Sequence, residues 1–234
     1  MIVGHRGAAA LAPENTLAGL NKAADSGIHW IEIDTQLTAD GIPVIFHDET
    51  LERCTNGSGK LASHTLSELK QLDAGSWFDG AFAGEKIPTL EEALQTCLDK
   101  DLFMNLEIKI HHDVQVVPLV KKISDVLKSI DFPNERLLLS SFSKHAVEQC
   151  KTLLPDIRRG YITEEKSTEY LNEIEHLSLF SVHVNQEMLT SDMAKSITDK
   201  GYTLNIWTLN DPDKLNDFIQ MKVDNVITDN PELF

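Results

Sequence analysis

Ile2-Val3-Gly4-His5-Arg6-Gly7 opens the chain, and Ala12-Pro13-Glu14-Asn15-Thr16 follows shortly after. A short apolar run ends in Gly-His-Arg-Gly, and a helix-opening pattern begins soon beyond it. This order predicts a buried strand that carries an imidazole and a guanidinium at its C-terminal tip. Gly4 and Gly7 permit tight backbone geometry around that tip. Arg6 offers a planar fork of donors that matches phosphate or carboxylate. Asn15 or Thr16 is placed to cap a helix that starts at about Leu17. Taken alone, a His-Arg pair at a strand end reads as a solvated loop. The residues that converge on the same end of the fold overturn that reading.

Working outward, the first helix runs from about Thr16 to Ser26, and Gly27 stops it. Trp30-Ile31-Glu32-Ile33-Asp34-Thr35-Gln36-Leu37 alternates as a two-faced strand. Asp40-Gly41 signals a tight turn, and Pro43-Val44-Ile45-Phe46 returns as another strand ending at His47-Asp48. From about Glu49 to Pro88 the rhythm breaks. Five glycines punctuate this stretch, and Thr65-Leu66-Ser67-Glu68 opens one helix in it. It reads as an insertion on an active-site rim or as a packing flap. Strands and helices then alternate to the end: strands at 102–110, 137–142, 159–163, 180–184, 203–207 and 225–228, with Asp211-Pro212 opening the last helix. Regular alternation implies parallel βαβ units. About eight of them suggest a closed sheet, the TIM (β/α)8 barrel, over residues 1–234 as one unit, with the 49–88 stretch as a small insertion after the second barrel strand. An open doubly wound sheet is the alternative, and no Gly-rich phosphate fingerprint follows the first strand to support it.

Glu32 and Asp34 are two apart on one strand and therefore point to one face. Glu107 and Lys109 repeat that spacing on the next core strand. Three carboxylates meeting at the C-terminal mouth of a barrel repel one another unless a cation or a proton neutralises them. Their hard oxygens suit Mg2+ or Ca2+. Spacing alone leaves a second reading open, in which Glu32 and Glu107 form salt bridges with Lys109 and Arg6. His5 and His47 end two different strands, and imidazoles exchange protons near neutral pH. Arg6 and Lys109 are suited to neutralise a phosphate. Trp207 is placed to pack against a small substrate or into the core. Glu14, Asp48 and Phe142 carry weaker signals. His111-His112 reads as a solvated loop.

Gly4-His5-Arg6-Gly7 with Pro13-Glu14-Asn15-Thr16 resembles the opening motif of the glycerophosphodiester phosphodiesterase family, closest to its bacterial cytosolic members. Glu32-Ile33-Asp34, His47-Asp48 and Glu107-Ile108-Lys109 match that family in the same order, so the resemblance spans essentially the whole chain. It implies a TIM barrel that hydrolyses glycerophosphodiesters to sn-glycerol 3-phosphate and an alcohol. It implies one divalent cation, Mg2+ or Ca2+, on Glu32, Asp34 and Glu107, with His5 and His47 catalytic and Arg6 and Lys109 on the phosphate. A phospholipase D acting on lysolipids and a non-catalytic binding protein of the same fold are the alternatives.

Bulk properties narrow the partners. The 234 residues carry a formal net charge of −16, from 37 acidic against 21 basic residues. Such a surface repels nucleic acid and anionic membranes, so neither is expected as a stable partner. The expected partner is a small-molecule glycerophosphodiester, with a homodimer as the expected form of any self-assembly. Cys54, Cys97 and Cys150 match neither a zinc spacing nor a disulfide framework and read as reduced thiols. With no leader pattern at the start and no apolar run of membrane-spanning length, a cytoplasmic location is expected.

Overall fold

A computed structural model describes residues 1–234. Eight parallel strands close into a barrel. In spatial order they are β1 (Ile2–His5), β9 (Asn225–Thr228), β8 (Thr203–Trp207), β7 (Ser181–Asn185), β6 (Arg158–Thr163), β5 (Leu137–Ser141), β4 (Phe103–Ile108) and β2 (Trp30–Leu37). Direct pairing of β1 with β2, with His5 opposite Glu32, closes the ring and excludes the open sheet. The ninth strand, β3 (Pro43–Ile45), lies outside it. It runs antiparallel along the C-terminal end of β2, with Thr35 opposite Ile45. The hairpin predicted at Asp40-Gly41 is therefore real, and it leads off the barrel wall.

The helices form where capping and periodicity agree. Thr16 accepts a bond from the Gly19 N–H and starts α1 (Leu17–Asp25). Thr65 with Glu68 and Thr89 with Glu92 complete capping boxes at α2 (Leu66–Leu69) and α3 (Leu90–Asp99). Ser143 caps α5 (Lys144–Leu153), which follows α4 (Val116–Ile130). The helix expected from Thr168 is a single turn, α6 (Tyr170–Glu173), continued as a 3-10 turn. The last two are α7 (Ser191–Asp199) and α8 (Leu215–Gln220), the latter preceded by a 3-10 turn that Asp211 caps.

Outward-facing strand residues pack against these helices in two groups. Ile31, Ile33, Met104 and Leu139 meet α1, α3, α4 and α5, and Val182, Val184, Leu204 and Ile206 meet α6, α7 and α8. Alternation on each strand then decides what lies inside the barrel. Many polar residues do, namely Glu32 and Asp34, Asn105 and Glu107, Ser140, Ser181 and His183, and Asn205, all buried, together with the apolar Val3, Leu138, Ile162 and Ile227. The segment between β3 and α3 has its own small core of Val44, Phe46, Leu51, Cys54, Leu61, Leu69, Ala74 and Ile87. No helix is long and apolar enough to cross a membrane.

Candidate active site

The site begins at the turn after β1. Arg6 adopts a left-handed backbone conformation at φ 49°, and Gly7 follows at φ 93°. A non-glycine residue there is strained and persists only when its surroundings fix it. A side chain on Gly4 would put Cβ 1.9 Å from the Gly7 carbonyl oxygen, and one on Gly7 would meet the Gly19 backbone of α1 at 2.8 Å. Both glycines are therefore required for strand, turn and helix to pack this closely. The Pro13–Thr16 segment then serves three neighbours. Glu14 accepts a 2.6 Å bond from Arg6, Asn15 binds Asp34, and Thr16 caps α1. Asn15, also left-handed, donates from Nδ2 to Asp34 Oδ2 at 2.9 Å and accepts the Asp34 N–H at 3.1 Å.

Glu32, Asp34 and Glu107 come together as the spacing predicts. Asp34 lies directly opposite Glu107 in the β2–β4 register. One oxygen from each of the three carboxylates lies within 4.8 Å of the others. All three residues are buried. The Lys109 ammonium donates to Glu107 Oε1 at 2.6 Å and lies 3.2 Å from Asp34 Oδ1. Arg6 Nε stands 3.7 Å from Asp34 Oδ2. Part of the salt-bridge reading is thus present, but it does not reach every oxygen. Glu32 accepts the Arg6 N–H on Oε2, while its buried Oε1 has no partner. Burial, reinforced by Asp34 and Glu107, pushes the Glu32 carboxyl well above the usual range. Burial also pushes Glu107 up to about 7, against the pull of Lys109. Burial opposes ionisation of Asp34 as well, but Lys109, with His47 and Arg6, outweighs it and holds that carboxyl low. Two protein cations do not satisfy three buried carboxylates. An all-oxygen donor set with one orphan oxygen fits a hard divalent cation.

Each catalytic candidate histidine has a carboxylate on Nδ1. His5 Nδ1 lies 2.6 Å from Asp229 Oδ1, just beyond β9, and Asn210 holds the other Asp229 oxygen at 2.6 Å. His47 Nδ1 lies 2.6 Å from Asp48 Oδ1. Such a bond fixes the tautomer and leaves Nε2 free. Arg53 clamps Asp48 through Nε at 2.6 Å and also bonds both oxygens of Glu14. Its hydrogen bond lowers the Asp48 carboxyl to about 2. Burial lowers the His47 imidazole despite the Asp34 charge.

A cavity of about 200 Å³ joins these groups, with His5, Arg6, His47, Glu107, Lys109 and Trp207 all on its wall. Trp207 ends β8 and meets Phe142 edge-on, with ring centroids 5.4 Å apart. His111 and His112 do not line this cavity. The exposed His112 pairs with Glu49 instead. Five contributors were not singled out by sequence reading: Asn15's bond to Asp34, and Arg53, Asn105, His183 and Asp229. Asp229 had a signal, because a carboxylate immediately after a barrel strand stands at the mouth. Arg53 had none.

Fold and site together define a (β/α)8 barrel with an acidic cluster and two carboxylate-oriented histidines at its C-terminal mouth. The model of the glycerophosphoryl diester phosphodiesterase family matches residues 5–233, and the chain belongs to that family. It is 34% identical over 233 residues to a glycerophosphodiester phosphodiesterase of Caldanaerobacter subterraneus subsp. tengcongensis, covering 99% of this chain and 95% of that one. It is 29% identical to a Bacillus subtilis glycerophosphodiester phosphodiesterase, covering all of this chain and 85% of that one. Among solved structures it resembles an Oleispira antarctica phosphodiesterase in complex with the product sn-glycerol-3-phosphate. That match has a TM-score of 0.94 and 37% identity, over 100% of this chain and 94% of that one.

Proposed function

We propose that residues 1–234 act as one catalytic barrel that hydrolyses glycerophosphodiesters to sn-glycerol 3-phosphate and an alcohol. The observation that carries this reading is the convergence of two carboxylate-oriented histidines and two cations on one small cavity, with a cluster of three carboxylates, two of which line it. Membership of the family and the product named for the Oleispira relative support the substrate. Glu32, Asp34 and Glu107 would hold one Mg2+ or Ca2+, which when bound supplies Lewis-acid polarisation of the phosphoryl oxygens. Arg6 and Lys109 bind the phosphate and offset the charge that builds on its oxygens. Trp207 packs against the glycerol carbons. One histidine removes the proton of the attacking hydroxyl while the other protonates the departing alkoxide.

The attacking group is the substrate's own glycerol 2-hydroxyl. It is tethered beside phosphorus, and such intramolecular attack can supply up to ~7–11 kcal/mol of the barrier reduction in ideal geometry. Its oxygen bonds to phosphorus as the alcohol leaves, giving a five-membered cyclic phosphate. Water then opens the ring, with the two histidines exchanging roles. The three cysteines are buried and unpaired, which supports work in a reducing, cytoplasmic setting. The test is direct. Purified protein incubated with glycerophosphocholine should release sn-glycerol 3-phosphate, lose that activity with a chelator, and regain it with Mg2+ or Ca2+. No release under any of these conditions would overturn the reading.

A further inference from the structure

His183 is 1% exposed and sits on the inner face of β7. Its Nε2 lies 2.8 Å from the Ser181 hydroxyl and 3.0 Å from Asn205 Nδ2. Asn205 Oδ1 is engaged by Asn225 Nδ2 at 2.7 Å, so the amide nitrogen of Asn205 is the atom that faces the ring. An amide nitrogen only donates, which makes Nε2 the acceptor. Burial keeps the ring neutral. A neutral imidazole that accepts at Nε2 carries its proton on Nδ1. That Nδ1–H is buried and has no partner in the protein. Asn105, 3% exposed on β4, has the complementary deficit: its Oδ1 is a buried acceptor with no partner.

Both residues line the cavity that holds His5, Arg6 and Lys109. Asn105 precedes Glu107 by two residues on the same strand face and stands opposite Glu32 in the β2–β4 register, so it lies below Glu107 and Lys109 on that strand. The position is built for the ring. A Cβ on Gly160 would approach His183 Nε2 to 2.6 Å, and glycine on β6 leaves that room. An orphan donor and an orphan acceptor on the wall of one cavity match a hydroxyl, which accepts and donates at once. We propose that His183 and Asn105 form the seat of the terminal glycerol hydroxyl, with His183 Nδ1–H donating to it and Asn105 Oδ1 accepting from it. This assignment rests on the glycerophosphodiester reading and adds the residues that select glycerol. The phosphate stays at the mouth with Arg6 and Lys109. A diester with a plain alkyl group in place of glycerol leaves both buried groups unpaired, and sites built to bond a hydroxyl discriminate against such analogues.

The test uses binding as well as turnover. In 15N-labelled protein with excess Mg2+ or Ca2+, the His183 ring should show the neutral tautomer protonated at Nδ1. Its resonances should move with sn-glycerol 3-phosphate and stay in place with inorganic phosphate. His183→Gln and, independently, Asn105→Ala should weaken sn-glycerol 3-phosphate binding about tenfold and leave inorganic phosphate binding unchanged. A ring protonated at Nε2, or equal effects on both ligands, overturns the seat. If His183→Gln fails to fold, Asn105→Ala and the wild-type spectrum still decide. Wild-type hydrolysis with variant affinity intact refutes the seat and spares the activity. Binding of sn-glycerol 3-phosphate through the seat without hydrolysis of any glycerophosphodiester does the reverse.

Discussion

Acidification should test how deeply the barrel interior is committed to a neutral His183. Burial lowers this imidazole to about 3 from an ordinary 6.5. Between those values the unfolded chain takes up a proton that the folded chain refuses, so stability rises with pH. The contribution is fully present above about pH 6.5 and is lost as pH falls toward 3. From about pH 7.5 to about pH 5 the loss is about 2 kcal/mol, at 1.36 kcal/mol per pK unit. Glu107 works in the opposite sense. Its carboxyl, raised to about 7 by burial, binds a proton in the folded state that the unfolded chain has released, so its cost to stability is relieved on acidification. That relief is also about 2 kcal/mol over the same interval, and Glu32, likewise raised by burial, adds to it, so the raw profile of the metal-free protein mixes opposing contributions. The measurement is therefore a difference. Urea unfolding of wild type and His183→Gln is followed by tryptophan fluorescence in chelator at the two pH values. The stability gap between them should shrink by about 2 kcal/mol at the lower pH. A gap that stays constant would show that His183 is not held neutral by the fold.

Four other outcomes are expected. His5→Ala and His47→Ala should each lower kcat by about 10²–10⁴-fold with the circular dichroism spectrum unchanged, and near-normal turnover in either would remove its proton-transfer role. The 2-deoxy analogue of glycerophosphocholine should bind but turn over far more slowly than the parent, and equal turnover would leave water as the direct nucleophile. Arg53→Ala should lower kcat more than it raises KM, because it frees Asp48 and Glu14 without touching the cavity wall; an unaltered kcat would make the clamp purely structural. Gly4→Ala should prevent accumulation of folded protein, since its Cβ would fall 1.9 Å from the Gly7 oxygen; a folded, active variant would refute the requirement.

Much of this molecule is legible in the chain because period-two alternation and helix caps are local signals. Glu32-Ile33-Asp34 says by itself that two carboxylates share a face, and Thr89 with Glu92 marks a helix start. The barrel closure is less local: it rests on β1 meeting β2 edge to edge, for which element counting is only indirect evidence. Asn15 shows the limit most clearly. Its sequence position suggests a helix cap, yet Thr16 takes that role and Asn15 turns back to grip Asp34. Both residues are good caps in isolation, and only the left-handed turn decides between them. Arg53 is invisible for a different reason. Its partners Glu14 and Asp48 lie 39 and 5 residues away and meet it only after the excursion folds.

The excursion between β3 and α3 carries its own apolar centre, drawn from residues 44–87. Its chemical reach into the mouth comes from His47, Asp48 and Arg53, while Trp77 and Phe78 line a neighbouring cavity with His5 and Arg6. Architecture and chemistry are therefore separable in this segment. A laboratory exchange that replaced the stretch from about 55 to 84 with one of different length could alter the rim while leaving the barrel's own packing intact. The ties to keep or re-create are few: Phe46 to Cys54 on one side, the His64 carbonyl and Leu66 N–H that bond Ala39 and Asp40 in the β2–β3 turn, and Glu85, whose carboxylate accepts the Ala18 N–H at 3.3 Å. Divergence in what such barrels admit at the rim can proceed through this stretch as an exchangeable cassette.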